Sequence, residues 1–177
     1  IGTCLVGSEM CIRDSSSSLA PVDFALSGDW KLVPEIIEHL ETLEEDDGET
    51  WIQALYVVYG KLLPLTPQEV GVEYEWEEIV DLLNEWVEDE KHIQNLPSRL
   101  GYALSFESTL AAMQDANVDV LFRDWLWRQI CIQSRAYVPW DMAMPIHQQD
   151  WNFNNLKAAP SASERFNLRN SNAVMGY

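Results

Sequence analysis

Glu75-Trp76-Glu77-Glu78-Ile79-Val80-Asp81-Leu82-Leu83-Asn84-Glu85-Trp86-Val87-Glu88-Asp89 decides the fold class. Trp76, Ile79, Val80, Leu83, Trp86 and Val87 recur at i, i+3, i+4 and i+7, while acidic residues, Leu82 and Asn84 fill the other positions. That is the period of an amphipathic helix with one apolar stripe. The same period extends outward. Toward the N-terminus, Val33, Ile36, Ile37, Leu40 and Leu43 make a stripe behind a start signal at Ser27-Gly28-Asp29, and Asp46-Asp47-Gly48 is its expected stop. A second helix is expected over Glu49–Leu63, where Trp51, Leu55, Val58 and Leu62 are widened by Ile52, Tyr56, Val57 and Tyr59, so most of its sides should be buried. Val70-Gly71-Val72-Glu73-Tyr74 alternates like a short extended piece. Toward the C-terminus, Leu100–Ala116 carries a mixed apolar face. A last helix capped by Asn117 or Asp119 is expected to run to about Ala136.

Beyond Val138 the period is lost. Pro139, Pro145 and Pro160 recur, and Trp140, Trp151, Phe153, Phe166 and Tyr177 are spaced irregularly. The expected fold is therefore mostly α, a single small helical domain of about five helices over residues 27–137. A linker over 16–26 precedes it and an extended, aromatic-containing tail over 138–177 follows. No internal repeat at solenoid spacing is present in the sequence.

Leu5-Val6-Gly7-Ser8-Glu9-Met10-Cys11-Ile12-Arg13-Asp14 resembles one reading frame of a transposase-library sequencing adapter. The resemblance implies that residues 1–15 are an artefact, that the natural gene fragment begins near Ser15–Ser18, and that Cys4 and Cys11 are foreign to it. Of the three cysteines only Cys131 then counts, inside the apolar run Leu126–Ile132, where it reads as a small core residue. A lone cysteine permits no disulfide framework and fits a reducing, cytoplasmic setting. The most apolar stretch, Trp51–Leu65, is interrupted by Gln53, Lys61 and Pro64 and is too short to span a bilayer.

Charge is distributed unevenly. The net charge is −18, and residues 28–90 hold 19 acidic residues against Lys31 and Lys61, a net −17. Residues 91–177 are close to neutral. A field of that sign repels phosphate backbones and anionic membrane surfaces and attracts basic partners. The plain alternative is a solvated helix face that serves solubility.

The sequence has no phosphate-cradling glycine loop, CxxC pair, HExxH or nucleophile elbow, which points away from an enzyme. The nearest approach to a metal set is Glu35 with His39 one turn apart and Asp89 with His92 at i, i+3, a spacing that distantly matches carboxylate-histidine sites in helical bundles. Against it, His39 flanks its stripe and His92 falls at a helix end. Asp124 and Arg128 read as an i, i+4 ion pair. Trp76 and Trp86 are expected core anchors. Trp140, Trp151, Phe153 and Phe166 are the expected partner-binding residues, large aromatics on a tail that either fold back on the body or enter a partner's groove. The sequence thus favours a non-enzymatic, cofactor-free interaction module of the adaptor, assembly-factor or chaperone kind. It would engage a basic protein through its acidic face or aromatic arm, without contacting nucleic acid or membrane. A nucleic-acid mimic that occupies a basic groove is the second expectation, and a metal-binding protein using Glu35, His39, Asp89 and His92 is the third.

Overall fold

The computed structural model describes residues 20–174, with side-chain surroundings given for residues 20–170. The adapter-like residues 1–15, and the expectation that they lie unpacked, fall outside the described part. Among the described residues the chain forms eight α-helices and one two-stranded hairpin, rather than five helices. The helices are α1 (Ala20–Ser27), α2 (Val33–Leu40), α3 (Glu45–Tyr59), α4 (Trp76–Glu88), α5 (Phe106–Gln114), α6 (Val120–Ser134), α7 (Ile146–Ala158) and α8 (Ala162–Val174). The hairpin is β1 (Ser98–Arg99) paired antiparallel with β2 (Tyr102–Ala103).

The strongly patterned elements form as their periods demand. Val33, Ile36, Ile37 and Leu40 of α2 are all buried, as are Ile79, Leu83 and Trp86 of α4. Helix α3 runs through the centre, with every residue from Ala54 to Tyr59 buried. A helix apolar on all sides needs neighbours on all sides, and α3 packs against α1, α2 and the hairpin. The Asp119 side chain caps α6, accepting from the Leu121 N–H at 2.8 Å.

Four expectations are corrected. First, the linker over 16–26 gives way at residue 20 to α1, whose Val22, Phe24 and Ala25 are sealed against α3 and α6. Its apolar residues are too few to show a period, yet all but the half-buried Leu26 are buried. Second, Asp46-Asp47-Gly48 does not end a helix; it lies in the first turn of α3. Acidic side chains are favoured there because they face the positive end of the helix dipole. Gly48 is required for another reason, since a Cβ at this position would fall inside the Trp76 indole. Third, the segment expected to be helical from Leu100 first turns through the hairpin, and α5 starts only at Phe106 behind the Ser105 cap, whose side chain accepts from the Ser108 N–H at 3.1 Å. Fourth, much of the 138–177 stretch is not extended. It folds into α7 and α8, and α8 packs on α5, α6 and α7.

Candidate functional site

Two regions handle charge in a way that calls for explanation. The first is the outer face of α2 and α4. These helices lie side by side, and the Asn84 amide of α4 donates to the Glu41 carboxylate at 2.9 Å. Asp81 and Glu88 flank Asn84 at i−3 and i+4, so carboxylates from both helices share one surface. Glu38 and Glu41, together with Glu77, Glu78, Asp81, Glu85 and Glu88, are exposed. Glu75 and Glu78 form a reciprocal cap at the start of α4, the Glu75 N–H reaching the Glu78 carboxylate at 3.1 Å. That accounts for acids at the N-terminus. It does not account for Glu85, Glu88 and Asp89, which stand at the end of α4 where the helix dipole opposes negative charge. Lys91 meets Asp89 at 2.7 Å, with both side chains more than half exposed.

The second region is the hairpin, which places a cation in the interior. Arg99 is fully buried. Its guanidinium donates to the carbonyl of Ala25, to that of Leu26 at 3.2 Å and to the Gln129 side-chain oxygen at 3.1 Å. Gln129 in turn donates to the Leu26 carbonyl at 3.0 Å. Ala25 and Leu26 end α1, so the cation sits at the negative end of that helix, where such a charge is favoured. Burial pulls the guanidinium down to about 9, which still leaves it charged at neutral pH. Its Nε is buried with no hydrogen-bond partner.

The backbone of the same hairpin closes a second helix. Leu100 and Gly101 both have positive φ, +52° and +79°, the pair of left-handed residues that a tight hairpin turn needs. Their N–H groups donate to the Val57 and Val58 carbonyls at 2.9 and 2.8 Å. These carbonyls lie in the last turn of α3, where a helix leaves acceptors unmatched. A leucine in this conformation costs about 1–2 kcal/mol, so the two bonds hold it against its preference. Six residues therefore cap α1 and α3 and reach α6 through Gln129.

The aromatic residues of the C-terminal stretch are separated by the fold. Phe153 is 3% exposed. Phe166 is fully buried, edge-on to Phe106 at 5.9 Å. Trp140 is half-buried between Trp127 and Phe153, with ring centroids at 6.1 and 6.4 Å, and its indole N–H reaches Gln149 at 3.3 Å. Trp151 is 64% exposed and is the one of the four that faces solvent.

The residues weighed as metal ligands are not brought together. His39 stands edge-on to Trp51 at 6.2 Å, whereas His92 is buried between Trp30 and Trp86. Among the described residues no three His, Cys, Asp or Glu side chains gather in a metal-ligating group. Cys131 is half-buried, and burial pushes its thiol up to about 11, far from a nucleophile's range. Asp124 and Arg128 form the expected ion pair at 2.8 Å, and the guanidinium also lies 4.8 Å from the Trp125 ring.

A cleft of about 240 Å³ opens between α5 and the α7–α8 junction, lined by Phe106, Glu107, Leu110 and Lys157 among others. That is below the roughly 300–1,000 Å³ of ordinary small-molecule pockets. Burial alone would raise the Glu107 carboxyl, but hydrogen bonds outweigh it and bring the carboxyl below its ordinary value; the Ser163 hydroxyl donates at 2.7 Å. The cleft thus contains a contact that fastens α8 to α5. Among the described residues no helix is long and apolar enough to cross a membrane. Comparison with protein-family models, curated proteins and solved structures finds no match.

Arg99 has no signal in the sequence. It is one arginine between Pro97-Ser98 and Leu100-Gly101, and only the convergence of two helix ends gives it a role. The acidic face was legible, because the period of α4 separates its carboxylates from its apolar stripe.

Proposed function

We propose that the chain is a non-enzymatic protein-interaction module whose binding surface is the joint acidic face of α2 and α4, and whose partner is a basic protein surface. The observation that carries this reading is the placement of acids at the C-terminal end of α4. Solubility needs negative charge somewhere, but it does not need Glu85, Glu88 and Asp89 where each opposes the helix dipole by roughly 0.3–1 kcal/mol. Like charges at i, i+4, such as Glu77, Asp81 and Glu85, add a further repulsion of about 0.2–0.5 kcal/mol per pair. A basic partner would turn both costs into attraction. The aromatic arm expected from the sequence contributes less to this reading, since Phe153 and Phe166 are used inside the body.

Nucleic-acid mimicry is the second reading, favoured by the row of exposed carboxylates along α4. Carboxylates four residues apart repeat about every 6 Å along a helix, against one phosphate per roughly 3.4 Å along each strand of duplex DNA. The row is therefore about half as dense as the backbone it would imitate, which ranks mimicry below general recognition of a basic protein.

The test compares the intact chain with a variant carrying Glu38→Lys, Asp81→Lys, Glu85→Lys and Glu88→Lys. Proteins captured by each are quantified at 50 and 300 mM salt. The reading expects the intact chain to retain basic proteins at low salt, to lose them at high salt, and the variant to retain none of them. Equal capture by both chains overturns it. Displacement of the captured protein by duplex DNA would select mimicry.

A further inference from the structure

His92 lies in the connection between α4 and β1, and three contacts hold it there. Its ring lies between the indoles of Trp30 and Trp86, with centroids at 6.2 and 6.0 Å. Its backbone carbonyl accepts the Tyr59 hydroxyl at 2.7 Å, and the Tyr59 ring stands edge-on to Trp86 at 4.8 Å. The residue is 6% exposed. Nδ1 of the ring is buried with no hydrogen-bond partner.

A neutral imidazole fits this pocket, because Nδ1 is then a bare acceptor. An imidazolium must carry an N–H there as well, and a charged donor buried without an acceptor is among the most costly groups in a protein. Three effects oppose that cost, and the Val87 backbone, which favours a proton on the ring, is the weaker of the two that come from α4 and the connection. Indole faces attract cations, but Trp30 and Trp86 are tilted 56° and 59° from the imidazole plane, so neither stacks flat on it. Charged groups on the surrounding elements also act. The 3-10 turn before α2 supplies Asp29 and Lys31, α3 supplies Tyr59, and α4 supplies Glu85 and Glu88. The connection itself supplies Asp89, Glu90 and Lys91. Glu90 pulls toward the charged ring, yet it is exposed and screened by water. Burial therefore prevails and holds the ring below the ordinary histidine value.

We propose that His92 is an acid-operated latch: uptake of a proton at Nδ1 expels the ring from between Trp30 and Trp86 and releases the connection Asp89–Pro97 from the body. That connection joins the acidic helix α4 to the hairpin that carries Arg99. Acid would thereby uncouple the outer face from the buried junction. The latch does not depend on what the acidic face binds.

The direction follows from proton linkage. Open chain binds a proton at His92 near pH 6.5, whereas the closed form binds it only at lower pH. The stabilisation from the closed pocket is complete above about 6.5 and is lost as pH falls toward the closed-form value.

Amide hydrogen exchange of the intact chain tests this at pH 7.5 and 5.5, with each rate normalised to that of an unstructured peptide. Protection at Lys91–Leu96 is expected to fall between the two, by at most about tenfold, the limit for one proton taken up only in the open form. His92→Phe fills the pocket without a titrating group, and its protection there should not change with pH. A decrease of the same size in that variant, or none in the intact chain, overturns the proposal. Should His92→Phe not fold, the NMR titration of His92 in the intact chain decides. A midpoint at or above 6.5 overturns the latch, and one below it with a concerted shift of the 89–97 amides supports it.

Discussion

The outer face of α4 and the interior hairpin place charge under opposite conditions. On α4, carboxylates stand in water with few cations near them, and several oppose their own helix dipole. At the hairpin, one guanidinium is removed from water and finds helix-end carbonyls in place of a carboxylate. The contrast separates two roles for charge. A buried cation is retained only if many acceptors converge on it, so Arg99 reports on how the fold is closed. An exposed carboxylate costs the fold little and can be placed for a partner, so α4 reports on what lies outside the molecule.

The largest expected effect is at the junction. Arg99→Ala would strand the Ala25 and Leu26 carbonyls and leave a cavity, and should cost about 3–5 kcal/mol in urea unfolding at neutral pH. A loss under about 1 kcal/mol would show that the interior charge is incidental and erase the contrast. Phe166→Ala comes next, at about 3 kcal/mol. It tests whether the C-terminal helices belong to the interior half of the comparison, since Phe166 meets Phe106 across α5 and α8. If α8 frays without lowering the main unfolding midpoint, it belongs to the periphery. Gly48→Ala should cost about 2 kcal/mol, because the added Cβ collides with the Trp76 indole; loss of the Trp76 hydrogen bond to the Leu43 carbonyl would show in near-ultraviolet circular dichroism. The smallest effect is on the face itself, and its sign is reversed. Glu88→Lys should raise stability by about 0.5 kcal/mol, since it puts a cation at a helix C-terminus, while weakening capture of basic proteins. A variant that loses stability would remove the argument that these acids are misplaced for folding.

How much was legible depended on how apolar residues are spaced. In α2 and α4 the polar and apolar positions separate at helical period, and the buried sets Val33-Ile36-Ile37-Leu40 and Ile79-Leu83-Trp86 could be read directly. In α7 the pattern is mixed, with Phe153 and Leu156 buried but other apolar residues outside. Ile146 and Trp151 face solvent while Asn152 is buried beside Phe153, so a period count finds nothing to follow. Helix α8 shows the same difficulty, with Phe166 as its fully buried aromatic anchor and Arg165 reaching the Ser134 carbonyl at 2.6 Å. Short α1 has too few turns for a period to emerge. At the candidate sites, the acidic face could be read because charge density is a property of composition, whereas Arg99 and His92 acquire their character from elements distant in sequence.

By itself the sequence determined that this chain is helical, that its front half is strongly acidic, and which faces of α2 and α4 turn inward. These are local properties, fixed by the helical repeat and the aversion of apolar side chains to water. The tertiary structure alone decided that α1, α7 and α8 close over the body, that an arginine replaces water at a helix end, and that a histidine is held between two indoles with one nitrogen unmatched. Those outcomes depend on which backbone ends and ring faces meet in space, and spacing along the chain carries no record of such meetings.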